Sequence, residues 1–315
     1  MVTESNFASD VVLTPEDLRE ARDQHKILCS VPGRCDKNRD LWFEFAGAKG
    51  KMELSEVAYG PDQKPKNSIF RVGHHTCFRV LSEEQDEFGN PIFILSRKCV
   101  QAQYYEDNLS DLIVGDIIEC EVSAVNPQEA FCDIGMGILS LLPISRMSVS
   151  RIMSAVDRVY VGERIKCVIA GRDVFNRPIL SMKECLGTWE ENVQDFWVGD
   201  TVAGFVRSVE PYGIFVEIAP NLCGLCDTIP DVESGMEVSV YVKSISAQKM
   251  KVKLSITSII AHDREYRPKP KELKFYIPSE IRAGHPHMDA WTYSPDDCEK
   301  TIQTDFSTNY TFRHD

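Results

Sequence analysis

The 315-residue chain contains no apolar run near the roughly 18 residues that a membrane-spanning helix requires, and its first ten residues have neither a basic start nor an apolar core. These absences predict a cytoplasmic protein with no membrane partner. The sequence also lacks a Gly-rich phosphate loop, a G-x-S-x-G elbow and an H-E-x-x-H helix. No spacing of Ser, His or carboxylates singles out a catalytic site, so the expectation is a protein that is not an enzyme and takes neither a cofactor nor a small-molecule substrate.

A disulfide framework is missing too. The eleven cysteines are an odd number, scattered through apolar runs such as Ile118–Cys120 and Lys166–Val168, and they read as small buried hydrophobes in a reducing compartment. Cys223 and Cys226 have C-x-x-C spacing with no second pair at zinc-ribbon distance, which favours core packing over a metal. Excess basic charge is likewise absent: 35 Lys and Arg against 48 Asp and Glu give a net charge of −13, too acidic for nucleic-acid binding by electrostatics alone. The acidity is concentrated in the N-terminal helix, the connectors and the tail. Residues 24–105, 111–187 and 196–258 are each close to neutral, and only the first of them is slightly positive.

What is present is a pattern written three times. Leu95-Ser96, Leu180-Ser181 and Leu254-Ser255 each close an apolar run, and Gly73, Gly162 and Gly235 stand 23, 19 and 20 residues before the respective serines. Trp42 and Phe131 each precede their Gly by 31 residues, whereas Phe215 precedes Gly235 by only 20, as if the third copy had lost a loop or short helix. Gly115 and Gly199 open the second and third copies, each 16 residues before its aromatic. Short runs of Val, Ile and Phe broken by Gly, Pro, Asn and Asp mark strands and tight turns, five to a copy, and suit small closed barrels. The resulting expectation is a mainly β chain: an N-terminal tail and helix over 1–23, five-stranded barrels over 24–105, 106–187 and 188–258, and an irregular extension over 259–315. Helical connectors are expected over 98–109 and 183–196, with Tyr104 and Trp189 docking them, and Thr14-Pro15-Glu16-Asp17 reads as a capped helix start.

Alternation along the second strand assigns Leu41, Phe43 and Phe45, then Ala130, Cys132 and Ile134, then Ile214, Val216 and Ile218 to the barrel interiors. Trp42 with Glu44, Phe131 with Asp133, and Phe215 with Glu217 are thereby placed outside. Three outward aromatics at one repeat position suggest platforms on which bases of single-stranded nucleic acid stack, a contribution of ~1–3 kcal/mol per base that does not need a basic protein. The competing reading packs these rings under connectors or a neighbouring barrel. Tyr212, three residues before Phe215, offers a second ring in the third copy.

Tyr-Gly-Ile-Phe-Val-Glu at 212–217, Gly224-Leu225, Gly235 and Lys-Leu-Ser-Ile at 253–256 resemble the S1 RNA-binding domain, an OB-fold barrel. The second copy resembles it at 131–135, 141–145 and 179–183, and the first more distantly at 42–44 and 54–56. The tandem array is similar to the ribosomal S1 family, which implies single-stranded RNA, including mRNA, as the partner and the small ribosomal subunit as a second one. By that resemblance Tyr212 and Phe215 match the family's stacking aromatics, and Phe131 and Trp42 match the second of the pair. Arg39, Lys49 and Lys51 in the first copy, with Arg207, Lys251 and Lys253 in the third, are the expected phosphate contacts. Glu53, Pro143 and Asp227 stand where the family often has His, so each barrel is expected to bind weakly and to rely on avidity. The alternative is a scaffold that binds a ribosomal or nuclease partner through the barrel faces. In the tail, His285, His287 and Asp289 alternate and could imitate metal ligands, but a strap with Trp291 and Tyr293 packed over the third barrel, or against a partner, fits the composition better.

Overall fold

The computed structural model describes residues 2–7, 12–60, 66–173, 176–261 and 273–307. Helix α1 (Pro15–Asp23) starts where its sequence dictates. Thr14 Oγ1 accepts from the Asp17 N–H, the Asp17 carboxylate accepts from the Thr14 N–H, and Pro15 occupies the first turn, where its missing N–H costs nothing. The strands β1 (Leu28–Ser30), β2 (Arg34–Cys35), β3 (Leu41–Phe45) and β4 (Ala48–Met52) follow. After α2 (Lys66–Ile69) come β5 (Thr76–Gln85) and β6 (Pro91–Ser96). They form one six-stranded sheet in the order β1-β5-β6-β4-β3-β2.

The expected five-stranded closure takes a modified form here. β1 and β2 are two pieces of a single first strand, one paired to β5 and the other to β3. Pro32, between them, has no N–H to give to a ladder, and hydrogen bonding resumes only when the Gly33 N–H donates to the Trp42 carbonyl. Leu18 of α1 joins Leu41, Phe43, Met52, Phe78, Phe93 and Leu95 in the core of this barrel.

Helix α3 (Lys98–Asn108) leads to β7 (Ile117–Val125), β8 (Glu129–Asp133), β9 (Leu139–Pro143), β10 (Arg164–Arg172) and β11 (Pro178–Ser181), a closed barrel in the order β10-β11-β9-β8-β7. After α4 (Trp189–Val193), strands β12 (Thr201–Glu210), β13 (Gly213–Ala219), β14 (Leu222–Cys226), β15 (Glu237–Ser246) and β16 (Lys251–Ala261) close as β12-β13-β14-β16-β15. No helix lies between β14 and β15, where the sequence is shortened relative to the other two copies. Leu41, Phe43, Ala130, Cys132, Ile134, Ile214, Val216 and Ile218 are all buried, as strand alternation requires.

The tail is more ordered than the sequence suggests. β17 (Ile281–Arg282) pairs with β18 (His285–Pro286), and β19 (Ala290–Thr292) pairs with β20 (Gln303–Asp305). Trp291 and Tyr293 are buried in the core that contains the third barrel; the Trp189 N–H donates to the Tyr293 carbonyl, and the Tyr293 hydroxyl donates to the Asn221 carbonyl at 2.6 Å. His287 lies between the carboxylates of Asp116, at 2.6 Å from Nδ1, and Asp289, at 3.2 Å from Nε2. That arrangement gives His287 a role in docking the strap through the buried Asp116, which also accepts from Arg282.

The chain divides into two compact units, Met1–Leu112 with Asp133–Leu139, and Ile113–Cys132 with Ser140–Asp315. Within the first, the buried Glu4 carboxylate accepts from Arg97 at 2.7 and 3.0 Å and from Arg71 at 2.7 Å. Burial pushes the nearby Asp133 carboxyl up to about 6 from an ordinary 3.8, against the pull of the Gly135 and Gly137 N–H groups that it accepts. The native state therefore holds this proton more tightly than the unfolded chain does. The contribution of Asp133 should be full below about pH 3.8 and be lost as pH rises from there through 6. Unfolding titrations of the protein and of Asp133→Asn should differ by this slope, and parallel pH curves would contradict it.

Candidate nucleic-acid interface

The third barrel carries its candidate rings at the mouth of the β12–β13 turn. Gly213 makes the turn possible: a Cβ there would lie 2.7 Å from the Cys226 carbonyl oxygen, and φ is +154°. Tyr212 is 70% exposed, and its ring meets the half-buried Phe215 edge-on at 6.1 Å between centroids. From Phe215 the ladder registers run across the outer face to Leu225 on β14, Lys253 on β16 and Ser244 on β15. Leu225, Lys253 and Ser244 are all exposed. Lys249, Lys251 and Lys253 make no ion pair among the described residues.

Two residues from the sequence reading lie elsewhere than expected. Glu217 shares the outer face with Phe215 but is only 5% exposed. It is clamped by Arg158, at 2.9 and 2.8 Å, and by Arg207, at 2.9 and 3.1 Å. Burial opposes its ionisation, yet the two guanidinium groups hold its carboxyl below the ordinary 4.5. Arg207 is correspondingly committed: it binds Glu217 and lies 4.0 Å from Asp157, so its charge is neutralised internally and is not available to a phosphate. Cys223 and Cys226 neighbour this region as packed thiols, with burial pushing them up to about 12 and about 11.

In the first barrel, Trp42 is half-buried. Its indole N–H donates to Asp36 at 2.9 Å, and the Arg34 guanidinium covers one ring face at 5.0 Å. The covered face is closed to a base. Lys51 lies opposite Trp42 in the ladder but is bound to Asp40 at 3.2 Å and to Glu53 at 3.1 Å. Lys49 is exposed, and Arg39, at φ +69°, is half-exposed; neither side chain makes an ion pair among the described residues. In the second barrel Phe131 is half-buried, and Ile179, the counterpart of Lys253, is buried beside Leu141. Of the acidic replacements, Asp227 is exposed and binds Lys243 at 3.0 Å.

The three barrels therefore differ in what they present. The third offers two adjacent rings continuous with an exposed lysine. The first has a half-buried indole with Arg34 over one face, and the second a half-buried ring with the buried Ile179 where the third has Lys253. Sequence alternation did not single out Trp197, which is 72% exposed in the turn before β12. It lies outside any strand, so periodicity carries no signal about it. Among the described residues no group of His, Cys, Asp and Glu is arranged to hold a metal ion, and no helix is long and apolar enough to cross a membrane.

Residues 111–183 match the S1 RNA binding domain. Over 228 residues the chain is 31% identical to the small ribosomal subunit protein bS1 of Staphylococcus aureus (strain MRSA252), an alignment covering 67% of this chain and 58% of that protein. It is 30% identical over 216 residues to the bS1 protein of Staphylococcus saprophyticus, covering 63% of this chain and 54% of that one. The chain thus spans less than two thirds of the length of the curated relatives it matches. A crystal structure from Streptococcus pneumoniae, described as a multidomain protein with nucleic acid binding domains, aligns over 74% of this chain and 73% of its own at 10% identity and a TM-score of 0.25.

Proposed function

We propose that this chain, whose second barrel belongs to the S1 RNA binding domain family, binds single-stranded RNA in the cytoplasm without catalysing a reaction on it. The observation that carries the reading is the adjacent pair of the exposed Tyr212 and the half-buried Phe215, in register through Leu225 with Lys253, which makes no ion pair among the described residues. Two rings 6.1 Å apart can hold a base by stacking and edge contact, and the lysine supplies a phosphate partner that Arg207 cannot. Trp42 and Phe131 add weaker platforms, with Arg39 and Lys49 near the first and Lys251 beside the third. Because each barrel binds weakly, useful affinity comes from several barrels holding one strand. The small ribosomal subunit is the setting that the name of the bS1 relatives suggests, and messenger RNA is the single-stranded ligand proposed there.

A second reading is a scaffold whose barrel faces bind a ribosomal or nuclease protein partner. The internally neutralised Lys51 and Arg207 favour it. A salt titration separates the two readings. With few free cations on the face, affinity for oligouridylate should fall as salt rises, with a shallow logarithmic slope of about −1 to −3, because each neutralised phosphate of a single strand contributes about −0.7. A slope of zero would favour the scaffold.

A further inference from the structure

We infer that Trp197 is a third base-stacking platform on the third barrel, at the far end of the row that begins with Tyr212 and Phe215. The inference rests on the single-stranded RNA reading proposed above. A tryptophan side chain normally buries most of a large apolar surface. Trp189 and Trp291 do so here, and Trp42 is half-buried with a hydrogen bond to Asp36. Trp197 is 72% exposed and is followed by Val198 at 60%. The turn that holds them is well made. The Trp197 N–H donates to the Asp200 carboxylate at 2.7 Å, the Asp200 N–H donates back to the Trp197 carbonyl, and the Gly199 N–H donates to the Val242 carbonyl of β15. The exposed indole is therefore held on an ordered turn.

Its position relative to the proposed site follows from the ladders. Phe215 registers with Leu225, Leu225 with Lys253 and Lys253 with Ser244, so one outer row crosses β13, β14, β16 and β15. Neighbouring strands are about 4.8 Å apart, so the row runs roughly 14 Å around the curved outside of the closed barrel. The Trp197–Asp200 turn is bonded to β15 two residues before Ser244, beside Lys243. A path from Tyr212 to Trp197 thus has aromatic rings at both ends and the exposed Lys253 between them, with Lys243, bound to Asp227, beside the turn. OB-fold sites take about 4–16 nucleotides, more than one ring pair can hold, and a strand crossing the whole row needs a second anchor. The exposed Lys253 between the rings suits a polyanion better than an apolar peptide.

The test uses the full chain with oligouridylates of four and ten nucleotides, and the variants Trp197→Ala, Trp197→Phe and Tyr212→Ala. Trp197→Ala should weaken the ten-nucleotide ligand about fivefold or more, the low end of a ~1–3 kcal/mol stacking contribution, and leave the four-nucleotide ligand unchanged. Trp197→Phe should recover most of the loss, whereas Tyr212→Ala should weaken both lengths. If Trp197→Ala binds ten nucleotides like the parent while Tyr212→Ala does not, the third platform is wrong and the RNA reading stands. If Trp197→Ala abolishes self-association and leaves RNA affinity intact, the ring serves protein contact and the inference is overturned. If the parent chain binds neither ligand, the RNA reading and this inference fall together.

Discussion

Replacing Trp42, Phe131, Tyr212 and Phe215 together by alanine should lower affinity for unstructured RNA at least tenfold while leaving the protein folded. Stacking on one ring is worth ~1–3 kcal/mol by alanine substitution, which is roughly five- to 150-fold per base. The tenfold floor allows for the unequal settings of the four rings. Trp42 has Arg34 over one face, and Phe131 has the buried Ile179 where the third barrel has Lys253. Most of the loss should therefore appear in the pair Tyr212→Ala and Phe215→Ala alone. Little stability goes with Tyr212, which is largely exposed, whereas removing Trp42 also removes its bond to Asp36. Anisotropy of a labelled oligouridylate, with circular dichroism as the folding control, measures both halves of the prediction. Unchanged affinity in a folded quadruple variant would remove the mechanism.

Glu217→Ala should destabilise the second unit by about 3–5 kcal/mol, the usual cost of stripping one partner from a buried ion pair. The cost arises from what is left behind. Arg158, with its side chain only 3% exposed, loses its one carboxylate partner among the described residues, and Arg207 keeps among them Asp157 at 4.0 Å. For a unit of this size the thermal midpoint should fall by roughly 10 °C. The pH dependence has the opposite sign to that of Asp133. Glu217 has a folded value below its ordinary 4.5, so its stabilisation is complete above about pH 4.5 and is lost as pH falls through the depressed value. Acid unfolding of the parent should therefore be steeper below pH 4.5 than that of Glu217→Gln. A variant as stable as the parent would show that the clamp contributes nothing net.

Strand alternation was legible because the period of two is set by the backbone, so Ile214, Val216 and Ile218 had to face inward once a strand was assumed. The cap at Thr14 was legible for a similar reason, since all of its partners lie within one turn. What alternation cannot report is what covers the outer face. Arg158, which hides Glu217, is 59 residues away in sequence and in a different barrel. The same holds for Lys51, whose neighbours Asp40 and Glu53 are acids that sequence reading had no reason to assign to it. The split first strand could have been suspected from Pro32, but strands of two or three residues are too short to show any period, and the ribbons of the tail escaped notice for that reason. Ring exposure at Trp197 depends on a turn held by β15, a contact made only after folding.

Ultraviolet cross-linking of a bound oligouridylate to the full chain, followed by peptide mass mapping, examines directly where RNA lies. Adducts on the peptide containing Tyr212 and Phe215, at higher yield than on those containing Phe131 or Trp42, are the expected result. Firm RNA binding with adducts confined to other surfaces, and the 212–215 peptide unmodified, would contradict the account.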